Sequence, residues 1–192
     1  MSTTQTTMSH PALFSALKAA ETARLWYLQA AGCLEAADLH VIAHAFRFTA
    51  AQESEHAAML RLFTGAALPD VPLHDMPGDP AALLHAALTR ENACAENLLP
   101  AAAREAAEAG LPRIAIALQR MAETEAAHAR RFSQYLSALE EGRLLGDSKP
   151  LTWLCLPCGS LYHGCAAPER CDSCGASRGH FIRSSLHPFA VG

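Results

Sequence analysis

With 192 residues, of which 51% are hydrophobic and only 6% aromatic, the chain has room for one full-sized helical domain rich in Ala and Leu plus a small module. Its net charge of −4 is mild and no Lys/Arg block occurs, which argues against nucleic acid or an anionic membrane surface as the main partner. No apolar run reaches the roughly 18 residues of a membrane span. Residues 1–9 are polar, lack the apolar centre of a secretion signal and are expected to form a flexible leader. Seven cysteines, four of them in two tight pairs, suit metal binding in a reducing compartment better than a disulfide framework, so the cytoplasm is the default location.

Between residues 10 and 145 the pattern predicts four helices. The first carries Phe14, Leu17, Glu21, Leu25 and Leu28 on one face and is expected to stop near Gly32-Cys33. A second covers about 36–63 and ends at Gly65. Residues 65–79 hold three prolines and read as an irregular crossover. Asp79-Pro80 is a helix start, an N-cap followed by Pro at the first position. The third helix carries Leu84, Leu88, Glu91, Ala95 and Leu98, with a bend expected at Pro100 and a stop at Gly110. Leu111-Pro112 opens the fourth, which runs to Glu140. Four helices with one long middle connection form an all-α bundle of a known topology.

The chemistry lies in breaks of the apolar stripes. Ile114, Leu118, Met121, Glu125, His128, Phe132 and Tyr135 follow alternating steps of four and three, so they share one helical face. Ile42, Phe46, Thr49, Glu53, His56, Leu60 and Phe63 do the same. Each stripe places a carboxylate and an imidazole in a core, where burying even a neutral unpaired polar group costs on the order of 2–7 kcal/mol. Glu21 precedes Glu53 by 32 residues, and Glu91 precedes Glu125 by 34, so the chain contains an internal repeat. One Glu from each of two helices plus a Glu-x-x-His from each of the other two is the known ligand set of ferritin-like di-iron and di-manganese proteins. Four carboxylates would balance two divalent cations, and imidazole suits iron and manganese. Glu55 and Glu123 fall off the stripes and read as solvated, as do His40 and His44.

Residues 146–152 read as a linker, and residues 153–183 as a separate module. Cys155-Leu-Pro-Cys158 and Cys171-Asp-Ser-Cys174 stand twelve residues apart, each followed by Gly. Two such knuckles make a tetrahedral four-thiolate site, with the Gly allowing a tight turn that aims backbone N–H groups at sulfur. The spacing leaves structural zinc and electron-carrying iron both open. A segment of about 30 residues needs its metal to fold in either case. Cys33 and Cys165 lack a partner in the pattern, and residues 184–192 form a tail.

Over about residues 10–182 the chain resembles the rubrerythrin family, which joins a ferritin-like bundle to a C-terminal rubredoxin-like domain. The matching residues are Glu21, Glu53-x-x-His56, Glu91-Asn92, Pro100, Glu125-x-x-His128 and the knuckles Cys155/Cys158 and Cys171/Cys174. The resemblance implies two iron ions held by Glu21, Glu53, His56, Glu91, Glu125 and His128, and one iron, alternatively zinc, held by the four cysteines. It implies a non-haem di-iron peroxidase that reduces hydrogen peroxide to water. Electrons would arrive through the rubredoxin-like iron from a rubredoxin or an NAD(P)H-dependent reductase, in a head-to-tail homodimer. Cys94 stands three residues after Glu91, where the family usually has a second Glu, and is a candidate ligand or near neighbour of the metals. Leu99 replaces the Tyr usual before Pro100. Ferroxidase activity, or a metal-binding scaffold with a structural zinc ribbon, are the alternatives.

Overall fold

The computed structural model describes residues 11–71 and 75–184; the expected leader and all but the first residue of the expected tail lie outside them. The helices are α1 (Pro11–Ala36), α2 (His40–Thr64), α3 (Pro80–Ala93), α4 (Leu99–Glu108) and α5 (Pro112–Glu140), with a single widened π turn at Cys94–Leu98 joining α3 to α4. The α3–π–α4 unit acts as one long helix, so the architecture is a four-helix bundle in which α1 packs on α2 and the α3–α4 unit packs on α5. No helix among the described residues is long and apolar enough to cross a membrane.

Local chemistry sets the helix ends. Asp79 accepts a bond from the Ala82 N–H at 2.9 Å and Pro80 follows it, so α3 starts as its sequence predicts. Gly65 closes α2 in the left-handed region, with φ 64°. The first helix, however, runs past Gly32 to Ala36. An interior Gly costs only about 1 kcal/mol relative to Ala, and the stop is supplied downstream by Asp38, whose φ is 56°. There the Leu39 N–H bonds to Leu34 O at 2.9 Å and the Asp38 N–H to Glu35 O at 3.0 Å, a paired closure in which Asp38 takes the place usual for Gly.

The buried face of α1 also differs from the expected stripe. Phe14 and Leu28 are 40% and 38% exposed, whereas Leu13, Ala16, Ala20, Ala23, Tyr27, Ala30 and Leu34 are buried. Alanines allow close helix–helix approach, so the small-residue face of α1 goes inward and two large apolar side chains stay outside. On the third helix the π turn inserts extra backbone before Pro100. The Leu99 N–H bonds to Cys94 O, five residues back, and Leu99 becomes the buried residue where Leu98 was expected.

Two apolar layers fill the bundle. One holds Trp26, Tyr27, Phe46, Leu84, Phe132 and Leu136. The other holds Leu13, Leu17, Leu60, Leu99, Leu118 and Met121. Along α2 and α5 the residues between these layers are Glu53, His56, Glu125 and His128, all buried.

The C-terminal module is a three-stranded antiparallel sheet of order β2-β1-β3, with β1 at Gly146–Cys155, β2 at Leu161–Ala166 and β3 at Phe181–Arg183. Residues 146–152, expected as a linker, are thus the first part of β1, held down where Arg183 bonds Asp147 at 2.7 Å and Gly146 O at 2.8 Å. Trp153 and Phe181 form its small core with Cys155 and Cys171. The module docks on the α1–α2 corner. Ser177 Oγ donates to Asp38, the His40 and His180 rings stack at 3.6 Å, and a Cβ on Gly179 would lie 1.7 Å from Asp38 O. His40, read from sequence as a surface residue, is part of this contact.

Candidate metal centres

The sequence pattern places Glu53 and His56 one turn apart on α2, and Glu125 and His128 one turn apart on α5, while α3 adds Glu91. Glu53, Glu91, Glu125 and His128 each bring a donor atom to a common point, all within 4.8 Å of one another, and all four are buried. His128 Nδ1 lies 3.0 Å from Glu125 Oε2, 3.3 Å from Glu91 Oε2 and 3.4 Å from Glu53 Oε1. His56 Nδ1 lies 3.0 Å from Glu125 Oε1 and 3.7 Å from Glu53 Oε2.

This cluster is built around a positive charge. Burial alone would lower the His128 pKa, but the carboxylates of Glu125, Glu53 and Glu91 facing its Nδ1 outweigh it and carry it up to about 11. Burial likewise opposes His56, but the carboxylates of Glu125 and Glu53 beside it take it up to about 9. Glu91 is pushed up to about 7, mainly by desolvation. The imidazolium protons therefore stand where cations would. Two buried polar atoms, Glu53 Oε1 and His56 Nδ1, have no hydrogen bond of acceptable geometry, although charged neighbours approach them. Orphaned donor and acceptor atoms facing one point, three carboxylates and two imidazoles, fit a metal centre.

Three further residues, absent from the sequence reading, surround it. Tyr27, fully buried, donates its hydroxyl to Glu91 Oε1. Gln52 Oε1 meets His128 Nε2 at 3.0 Å and so fixes the ring with Nδ1 toward the carboxylates. Arg24 binds Glu21 through two bonds, of 2.8 and 2.5 Å. A buried Tyr needs a hydroxyl partner, and this was the one available signal for Tyr27. Gln52 stands beside a ligand in sequence and gave no comparable sign. Glu21, bonded to Arg24, is buried but is not among the four converging residues Glu53, Glu91, Glu125 and His128, and His56 adjoins that group through Glu125 and Glu53.

Cys94 begins the π turn, half-buried, and lines a recess shared with Ala20, Glu53, His56, Leu98 and Glu125. The recess opens to solvent and has room for roughly one water-sized molecule. Burial and the nearby Glu125, Glu91 and Glu53 push the Cys94 thiol up to about 12.

The second centre is formed by Cys155, Cys158, Cys171 and Cys174. Thiolates about 2.3 Å from a tetrahedral metal are separated by about 3.8 Å. The Cys155–Cys174 and Cys158–Cys171 sulfurs stand 3.7 and 3.6 Å apart. Gly159 and Gly175 each adopt φ 77°, which lets the chain fold back after each knuckle. The Cys158 and Ser160 amides bond to the first pair of sulfurs, and those of Ser173, Cys174 and Ala176 to the second. The Tyr162 hydroxyl, together with these amides, draws the Cys171 thiol down to about 6. Cys33 and Cys165 are free thiols, as their spacing suggested. The buried Glu/Glu/Glu/His cluster is consistent with a carboxylate-bridged di-iron site, and the four thiolates are consistent with iron or zinc.

Comparison with known proteins agrees. Rubrerythrin of Porphyromonas gingivalis is 32% identical over 143 residues, covering 73% of this chain and 72% of that protein. Rubrerythrin of Nitratidesulfovibrio vulgaris is 32% identical over 143 residues, covering 73% and 75%. A solved structure of nigerythrin in its fully reduced, all-ferrous state superposes with a TM-score of 0.64 over 95% of this chain and 91% of that one; at 21% identity it speaks to the fold alone. No family model matches the chain.

Proposed function

The chain belongs to the rubrerythrin family, and from that premise we propose that it is a non-haem di-iron peroxidase that reduces hydrogen peroxide to water, with electrons relayed through the cysteine-held metal. The observation that carries this reading is the pairing of two centres in one chain. Glu53, Glu91, Glu125 and His128 converge in the bundle, and a four-thiolate site stands at tetrahedral spacing in the ribbon. Iron in the bundle would supply the two electrons that, with two protons, take one peroxide to two waters, and iron in the ribbon would return them singly.

The chain's own residues set the conditions. The three carboxylates and two imidazoles hold the charge of the centre. Tyr27 and Gln52 fix Glu91 and His128 in orientation. Trp26, Tyr27, Phe46 and Phe132 pack with ring centroids 4.8–6.1 Å apart and exclude water from one side. On the other side the recess beside Cys94 has room for a molecule about the size of water.

We further propose that two chains pair head to tail. The ribbon docks at the α1–α2 corner, and Glu53 lies thirteen residues along α2 from His40, ~20 Å at 1.5 Å per residue. A chain's own cysteine site thus stands far from its own buried centre, and a second copy would bring the two centres closer. A rubredoxin or NAD(P)H-dependent reductase as donor, and a cytoplasmic location, complete the proposal. The test is iron-loaded protein fed by such a reductase. Peroxide-dependent consumption of reductant, lost in Glu125→Ala, is expected. Iron-replete protein that does not consume peroxide defeats the assignment.

A further inference from the structure

We infer that the two metal positions of the buried centre are unequal: the one held by Glu53, Glu91, Glu125 and His128 is complete, whereas the one beside His56 lacks a terminal carboxylate and opens onto the recess lined by Ala20 and Cys94. The inference rests on reading this cluster as a dinuclear metal centre.

The geometry on α1 is the first ground. Ala16 and Ala20 line the recess, and Tyr27, seven residues beyond Ala20 and so two turns along the same face, reaches Glu91. Glu21 is one residue from Ala20, a rotation of about 100° around the helix axis. Its carboxylate points instead into the two-bond clamp of Arg24. The face of α1 that looks at the metals therefore offers methyl groups where the usual set for such centres has a Glu.

The second ground is the third helix. After Glu91 has been given to the complete position, the next side chain at the recess is Cys94, followed by Leu98 and Leu99. The His56 side keeps one imidazole and whatever Glu53 and Glu125 can share by bridging. His56 Nδ1 is buried without a well-formed hydrogen bond, as expected of a donor waiting for a cation. The consequence is a second metal bound more weakly than the first, with open coordination positions facing the recess. A small exogenous ligand would bind on that side, beside Ala20 and Cys94.

The test adds the missing carboxylate. Full-length protein with zinc in the cysteine site and a metal-free bundle is titrated anaerobically with cobalt(II), followed by its visible absorption. The wild-type chain is expected to take one cobalt tightly in the bundle and a second at least about tenfold more weakly. Ala20→Glu should tighten the second step by more than the roughly 10–100-fold typical of partners outside the ligand sphere, and should leave the first unchanged. Ala20→Gln, of the same size, should not. Cys94→Glu provides the same gain from the third helix if Ala20→Glu does not fold. Two equally tight steps in the wild type overturn the inference, as does a second step unmoved in folded variants of both kinds. A bundle that takes no cobalt at all defeats instead the reading as a metal centre, and the inference with it.

Discussion

Tyr27→Phe isolates a single bond at the buried centre. The ring packs against Trp26, Phe46 and Phe132 at 5.4–5.6 Å, and Phe retains those contacts. Only the hydroxyl that donates to Glu91 is lost. A hydrogen bond to a charged group contributes about 1.5–3 kcal/mol, and one between neutral groups about 0.5–1.5. The Glu91 carboxyl titrates at about 7 in the metal-free protein, chiefly because burial disfavours its charge. The substitution should therefore destabilise the metal-free bundle by about 1.5–3 kcal/mol where Glu91 is ionised, and by about half that where it is protonated. It should also raise the Glu91 pKa by about one unit, since one unit corresponds to about 1.4 kcal/mol. Urea unfolding followed by far-ultraviolet circular dichroism at about pH 6 and about pH 8, with zinc kept in the cysteine site, measures both values. In thermal scans each kcal/mol moves the midpoint about 2–4 °C in a chain of this size. Equal destabilisation at the two pH values, or none at either, refutes the assignment of Tyr27 as donor to an ionised Glu91.

The metal-free bundle should lose stability as pH rises from about 6.5 toward 9. His56 and His128 are raised from 6.5 to about 9 and 11 and Glu91 from 4.5 to about 7, so all three bind more protons folded than unfolded and stabilise fully only below their ordinary values. Glu53 and Glu125, although burial opposes it, are lowered by bonds to His128 and His56, so their contribution is lost only as pH falls below about 4.5. Melting temperatures of metal-free and metal-loaded protein should diverge upward in pH, and a gap independent of pH counts against a charge-compensated site. Cys171→Ser should release the ribbon metal and abolish near-ultraviolet signals from Trp153 while leaving helix content unchanged; loss of helicity would show that the bundle depends on the ribbon. Gly179→Ala forces the contact with Asp38 O apart, so proteolysis between residues 140 and 150 should accelerate with both metals retained. An unchanged cleavage rate would mean that this docking contact does not hold the module in solution.

Much of the fold was legible because α2 and α5 carry large apolar residues at strict helical spacing, so their inward faces, and with them the two Glu-x-x-His pairs, could be read directly. On α1 the same rule chose a stripe rotated part of the way off the inward face: Leu17 and Glu21 are buried, but Phe14 and Leu28 are exposed. Alanine is small enough to be buried or exposed at little cost, and the bulky Phe14 and Leu28 drew the expected stripe toward the surface. That displacement carried Glu21 with it. Its partner Arg24, three residues on, is an ordinary helical pair in sequence, and nothing there told a clamp from a surface salt bridge. The π turn was also hidden, since Pro100 signals a disturbed helix but not whether the chain bends or inserts a residue. In the ribbon, the spacing of the knuckles marked the four cysteines that converge, while the Tyr162 hydroxyl on Cys171 and the docking of Gly179 on Asp38 join positions far apart in sequence and left no local trace.

The proposed activity requires electrons to pass from the cysteine-held metal to the buried centre and on to peroxide. Its most direct test is to reduce the iron-loaded full chain anaerobically, mix it rapidly with hydrogen peroxide, and follow the colour of the ferric four-thiolate site. This colour is expected to return after a step that oxidises the bundle, and Glu125→Ala, with its ribbon iron intact, is expected not to recover it on that timescale. Ribbon iron that stays reduced while peroxide is consumed, or that oxidises equally fast in Glu125→Ala, would contradict it.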